Sequence, residues 1–157
     1  MSTRAGAREA VLLVHGLWMN GLAMLYLAHV LRRAGFAAEC LDYRSMRGTL
    51  SEHVATLADR VAGTVADTVH IVAHSFGGIV ALHYLQGARD DRLGRLVLLG
   101  TPVSGSRAAR AFADWPAGKL MLGRSIEVWQ SERRAPLGKV VLAIISGSVI
   151  TYGYSPR

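Results

Sequence analysis

The stretch Val69-His70-Ile71-Val72-Ala73-His74-Ser75-Phe76-Gly77-Gly78 decides how the rest of the chain is understood. An apolar run of strand length stops at a serine, and a helix-like segment starts immediately after it. Small residues, Ala73 and Gly77, flank that serine two positions to either side. A strand-to-helix turn this tight forces the serine backbone into a strained conformation and lifts the hydroxyl above a sheet. Bulky flanks would collide with the neighbouring strand and helix. The helix start offers free N–H groups and the positive end of a dipole. Ser75 is therefore the candidate nucleophile, with Gly78 a second glycine for close packing. The first glycine of the G-x-S-x-G pattern is alanine here, which is still small enough for the turn.

A second loop of the same kind lies near the front of the chain, in Val11-Leu12-Leu13-Val14-His15-Gly16-Leu17-Trp18. A strand again ends in a loop, with His-Gly at its mouth. The backbone N–H groups of Leu17 and Phe76 are candidate donors to a developing oxyanion, where deletion of one such donor costs roughly 3–4 kcal/mol. His15 sits where a catalytic base is tempting. A histidine there more often shapes its loop by hydrogen bonding, and His15, Gly16, His74 and Gly77 are expected to do so.

Five apolar runs alternate with helix-like segments: Val11–Val14, Ala37–Leu41, Val69–Ala73, Leu96–Leu99 and Val140–Ile145. They lack period-2 alternation, as strands buried on both faces of a parallel sheet do. A helix is expected over Gly21–Ala34, with Met24, Leu27, Ala28 and Leu31 on its inner face, Asn20 as N-cap and Gly35 just past its end. The next carries Leu50, Val54, Leu57, Val61 and Val65, and opens with the capping-box pattern Thr49-Leu50-Ser51-Glu52. A third runs from Phe76 to Gln86. This rhythm predicts an α/β fold, a mostly parallel doubly wound sheet of about five strands with helices on both faces. Residues 1–157 form a single domain in this reading, in which 104–135 is either an ordinary crossover or a cap over a pocket.

Composition removes several classes. Sixteen Arg and two Lys against eleven acids leave a net charge of +7, but the basic residues are scattered, so no nucleic-acid partner is expected. One cysteine, Cys40, excludes a disulfide framework and a cysteine-based zinc site. Charged residues at 18% argue against disorder. Ala10–Leu31 carries no formal charge and is long enough to span a bilayer. Its pattern changes midway, however: a short strand stops at Gly16 and a helical segment opens at Asn20-Gly21. No integral membrane segment and a cytoplasmic location are therefore expected.

With VLLVHGLW, VHIVAHSFGGIVALHYL and RLVLLGTPVSGS in order and at the expected spacing, the chain resembles the α/β-hydrolase superfamily, in particular its bacterial lipase- and esterase-like members. The resemblance covers about residues 10–145. It implies Ser75 as nucleophile, Leu17 and Phe76 as oxyanion-hole donors, and neighbouring first and third strands whose carboxyl ends mark a topological switch point where ligands bind. It also implies an acid and then a histidine downstream of the serine. The acids after Ser75 are Asp90, Asp91, Asp114, Glu127 and Glu132, all ahead of the fifth strand, and the one histidine is His83. Two helical turns put His83 roughly 12 Å from the serine. The triad acid and base are thus not found.

The expected function is hydrolysis of carboxylic esters through an acyl-enzyme on Ser75, impaired in this chain, with no cofactor and no metal. Leu17, Trp18, Met19 and Phe76 favour a small-molecule ester or lipid-like substrate with an apolar acyl group. The alternative is a non-catalytic hydrolase-like protein binding ligands in the same pocket. The missing triad members suggest a C-terminally shortened or frame-shifted chain. Residues 148–157 are an atypical tail, too short for another strand-helix unit, so the sheet is expected to be incomplete there. The fifth strand would then be a bare edge through which the protein associates with a partner.

Overall fold

The structure, a computed structural model, describes residues 8–101, 141–146 and 149–153. Strand β1 (Glu9–Val14) leads through a 3-10 turn (Gly21–Met24) into helix α1 (Leu25–Arg33) and strand β2 (Ala37–Leu41). Helix α2 (Leu50–Gly63), β3 (Thr68–His74), α3 (Phe76–Gly87) and β4 (Leu93–Leu99) follow, then β5 (Val141–Ser146) and β6 (Val149–Gly153). The sheet order is β2-β1-β3-β4-β5-β6. All pairings are parallel except β5 with β6.

Both faces of β1 are apolar, and the two sets of side chains go to different layers. Val11 and Leu13 pack with Met24 and Ala28 of the α1 side. Leu12 and Val14 pack with Leu57 and Val61 of α2 and with Phe76, Val80 and Ala81 of α3. The strand therefore feeds two cores at once, which is why it shows no period-2 alternation. Each fully buried Leu or Val contributes about 1.5–3 kcal/mol relative to exposure. β1 thus anchors both layers, and the strand order reverses beside it, between β1 and β3.

Local signals explain most element ends. The Thr49 side chain accepts from Glu52 N–H at 3.3 Å, and the Glu52 carboxylate accepts from Thr49 N–H at 2.6 Å, completing the capping box of α2. Gly35 takes a φ of +96° just beyond α1, where a side chain would be strained. The first helix differs from the single segment expected. Asn20 Oδ1 accepts from Leu22 N–H, and Ala23 N–H donates back to the Asn20 carbonyl. These short-range bonds wind the opening turn tightly before α1 begins. Its predicted inner face holds: Met24 and Ala28 are buried, Leu27 and Leu31 half-buried.

Two other expectations need correction. Val65 does not belong to the second helix and is 79% exposed. Arg92 donates to the carbonyl oxygens of Val61 and Thr64, satisfying the end of α2 there. The fifth strand is not a bare edge either, because β6 pairs with it antiparallel from Ser146↔Val149 to Leu142↔Gly153. The expectation of an exposed edge available for association assumed that a further strand needs a crossover helix. An antiparallel neighbour needs only a two-residue connection. Residues 104–135, expected as crossover or cap, lie outside the described residues.

Candidate functional site at the switch point

The parallel register aligns the strand ends that build the site. Val14 pairs with Ala73, His74 with Leu99, and Leu99 with Ile145. The loop after β1 and the turn between β3 and α3 therefore meet at the carboxyl edge of the sheet. Ser75 is the turn, with φ +51° and ψ −119°, a region that L-residues rarely occupy. Its N–H donates to the Leu99 carbonyl at 2.9 Å, and its carbonyl accepts from Gly78 N–H at 3.0 Å. The strained residue is thereby tied to β4 on one side and to α3 on the other. Trp18 is the other non-glycine residue with positive φ among those described, at +56°. One strained residue stands in each loop facing the switch point.

Close approach explains the small residues. A Cβ on Gly77 would lie 2.6 Å from the Val14 carbonyl oxygen and still nearer to that of His15. One on Gly78 would strike the Thr101 side chain, with the Thr101 Cβ at 2.7 Å. A Cβ on Gly16 would sit 3.1 Å from Ser75 Cβ and 3.2 Å from His74 Nδ1. The loop after β1 is pressed directly onto the elbow. Leu17, in that loop, and Phe76, in the first turn of α3, are brought to the same edge. Phe76 N–H has no intrahelical acceptor, as for any residue of a first turn.

Beneath the loop lies an aromatic stack that the sequence did not announce. The His15 ring is fully buried and stacks on Tyr43 at 4.4 Å. His15 Nδ1 donates to the Gly16 carbonyl at 2.8 Å, and Tyr43 OH donates to the His15 carbonyl at 2.6 Å. Burial pushes the Tyr43 hydroxyl pKa far up, so it stays a donor. His53 packs edge-on to both Tyr43 and Phe76. Burial, opposed by Glu52, lowers the His53 pKa and holds the ring neutral. Tyr43 and His53 could not be found from sequence, since the partners lie 28 residues apart in the His15 contact.

The structure also separates residues that the sequence had grouped. The Phe76 side chain is wholly buried in the core, so it lines no pocket. Leu17 is half-buried against the core, whereas Trp18 is 52% exposed. His83 Nδ1 donates to the Ile79 carbonyl one turn back, at 2.9 Å. Asp90 is held by Arg92 through contacts of 2.6 and 3.0 Å, which lower its pKa. Both are occupied in the α3–β4 region. Among the described residues no group of three or more His, Cys, Asp or Glu could hold a metal ion, and no helix there is long and apolar enough to cross a membrane.

A doubly wound sheet, a strained serine at the switch point and an adjoining His-Gly loop define an α/β hydrolase. Residues 11–146 match the sequence model of the Alpha/beta hydrolase family, and the chain belongs to that family. Lipase LipV of Mycobacterium tuberculosis (strain ATCC 25618 / H37Rv) is 36% identical over 104 residues, covering 62% of this chain and 40% of LipV. Among solved structures, the metagenomic carboxyl esterase MGS0156 superimposes with a TM-score of 0.66 at 22% identity, over 92% of this chain and 50% of the esterase. Phospholipase PlaB from Legionella pneumophila gives 0.63 at 16% identity, over 90% of this chain and 38% of PlaB. The chain thus spans half or less of the length of each of these relatives.

Proposed function

We propose that this chain is a serine hydrolase of carboxylic esters with apolar acyl groups, acting through an acyl-enzyme on Ser75. The observation that carries the reading is the strained backbone of Ser75 at the end of β3, +51° in φ, held by bonds to both β4 and α3. Strain retained at a ligand-binding edge is a functional signal. Ser75 Oγ attacks the ester carbonyl carbon, and the carbonyl π pair moves onto oxygen. Leu17 and Phe76 N–H groups stabilise that oxyanion. Its collapse expels the alcohol, which leaves with the serine proton, and water then cleaves the acyl-serine ester by the same route. His15 is a loop-shaping residue in this scheme, as are Gly16, His74 and Gly77. The names of LipV and MGS0156 support ester substrates, and exposed Trp18 supports an apolar one.

The general base is the weak member of the scheme. His83, the histidine that follows Ser75, is tied to the Ile79 carbonyl. Loss of the base costs roughly 10⁶ in turnover in a serine protease. Turnover on a p-nitrophenyl ester should therefore fall below about 1 s⁻¹, leaving the oxyanion-hole and binding contribution of roughly 10³–10⁴ over water. Intact-mass analysis after prolonged fluorophosphonate treatment tests the nucleophile. One adduct is expected on the parent chain, none on Ser75→Ala, and undiminished labelling on Ser104→Ala and Ser106→Ala. An adduct that survives Ser75→Ala overturns the reading. A parent chain that binds ester analogues yet never labels would instead favour a non-catalytic protein using the same pocket.

A further inference from the structure

The exposed large apolar side chains of the described residues are concentrated in one place. They are Trp18, Leu22, Leu25, Tyr26, Val30 and Val65, and all but Val65 fall between residues 18 and 30. Leu22, Tyr26 and Val30 recur at four-residue steps, so they share one face of the turn and α1, with Leu22 68% and Tyr26 81% exposed. Arg33, seven residues after Tyr26, falls on the same face in the last turn, and Arg32 precedes it. Isolated exposed apolar residues need no explanation, but a contiguous stripe marks an interaction surface. The stripe begins at Leu22, five residues beyond Leu17 of the loop that adjoins the candidate site.

We propose that this face of α1 docks on an anionic phospholipid surface, with Leu22, Tyr26 and Val30 entering the headgroup boundary and Arg33 meeting lipid phosphates. Charge complementarity selects this occupant. No carboxylate occurs from Ala10 to Ala38. The flanking acids are otherwise placed: Glu9 lies against His70 on the sheet, Glu39 pairs with Arg60, and Asp42 lies beside Gly21 at the opposite end from Arg33. A second copy docked through the same face would bring arginines together with no acid to neutralise them. A lipid leaflet supplies both apolar depth and negative charge. The chain's net charge of +7 acts in the same direction. The docking deepens the proposed function by bringing lipid-like esters to the loop of Leu17, and rests on it only for that purpose.

Co-sedimentation with vesicles tests the docking, using the full chain as Ser75→Ala so that no hydrolysis can intervene. Vesicles of phosphatidylglycerol and phosphatidylcholine should bind it, and pure phosphatidylcholine should bind it much less. Leu22→Glu combined with Tyr26→Glu should weaken binding more than tenfold. Arg33→Ala should weaken it about fivefold on anionic vesicles, the factor for one lost cation near such a surface, and leave neutral vesicles unchanged. Should the glutamate pair lower the melting temperature, Leu22→Ser with Tyr26→Ser gives the same comparison with no added charge. Equal binding by parent and variants overturns the proposal, as does a parent that ignores anionic vesicles. A concentration-dependent dimer abolished by the Leu22 and Tyr26 substitutions also overturns it, assigning the face to a second copy. None of these outcomes bears on fluorophosphonate labelling, so the two readings fail separately.

Discussion

Adding one methyl group at Gly77 should disturb the site more than any comparable change elsewhere in α3. The new Cβ would meet the Val14 carbonyl oxygen at 2.6 Å and the Val14 carbonyl carbon at 2.9 Å, with the His15 oxygen nearer still. All three are backbone atoms, so no side chain can swing aside. Restoring the 3.4 Å of ordinary contact to the nearest of them requires α3 to retreat from β1 by about 1 Å. Overpacking of this kind costs about 1–3 kcal/mol. In a domain of this size that lowers Tm by roughly 2–12 °C. The retreat also carries Ser75 and Phe76 N–H away from the Leu17 loop, and a misplacement near 1 Å costs about 10²-fold in rate. Gly87→Ala is the internal control, at the other end of the same helix with nothing within 4 Å. It should gain about 0.4–1 kcal/mol. Thermal melts and the rate of fluorophosphonate adduct formation read the two effects. A Gly77→Ala chain that melts and labels like the parent would refute the close-approach account of the elbow.

Ser75→Gly should raise the melting temperature while removing the nucleophile. Glycine tolerates φ +51°, and the Ser75 side chain makes no capping bond that would be lost. Relief of about 1–3 kcal/mol of strain outweighs about 0.4–1 kcal/mol of added chain entropy, and an unchanged or lower Tm would remove strain from the account. Stability should also fall as pH drops below 6.5. His53 and His70 both have pKa values lowered from 6.5, chiefly by burial, so the fold holds them neutral while the unfolded chain takes up protons below that pH. Their contribution is complete above pH 6.5 and is lost on descent through the folded values, a window distinct from that of Asp90, whose Arg92-lowered pKa acts below 3.8. A urea midpoint that stays flat from pH 7.5 to 5 contradicts this.

Much of the fold and the outline of the candidate site were legible because their signals are local. Apolar runs on both faces required a doubly wound sheet, and the strand-serine-helix order of 69–78 required a tight turn at Ser75 whatever the rest of the chain does. The capping box at Thr49 and the glycine after α1 depend on residues within a few positions of each other, so they too were written in the sequence. Tertiary structure alone decided the contacts that cross large separations. Tyr43 beneath His15, Ser75 N–H on the Leu99 carbonyl and Thr101 against Gly78 arise from strand register, which periodicity does not encode. The same holds for β6, because a short tail of mixed composition does not say which strand it pairs with, and for Phe76, whose position beside the serine looks like pocket lining until the helix turns its ring into the core. A sequence fixes what each segment tends to become, whereas the position of a group relative to a distant one depends on how the packed elements exclude water and satisfy their backbone bonds together.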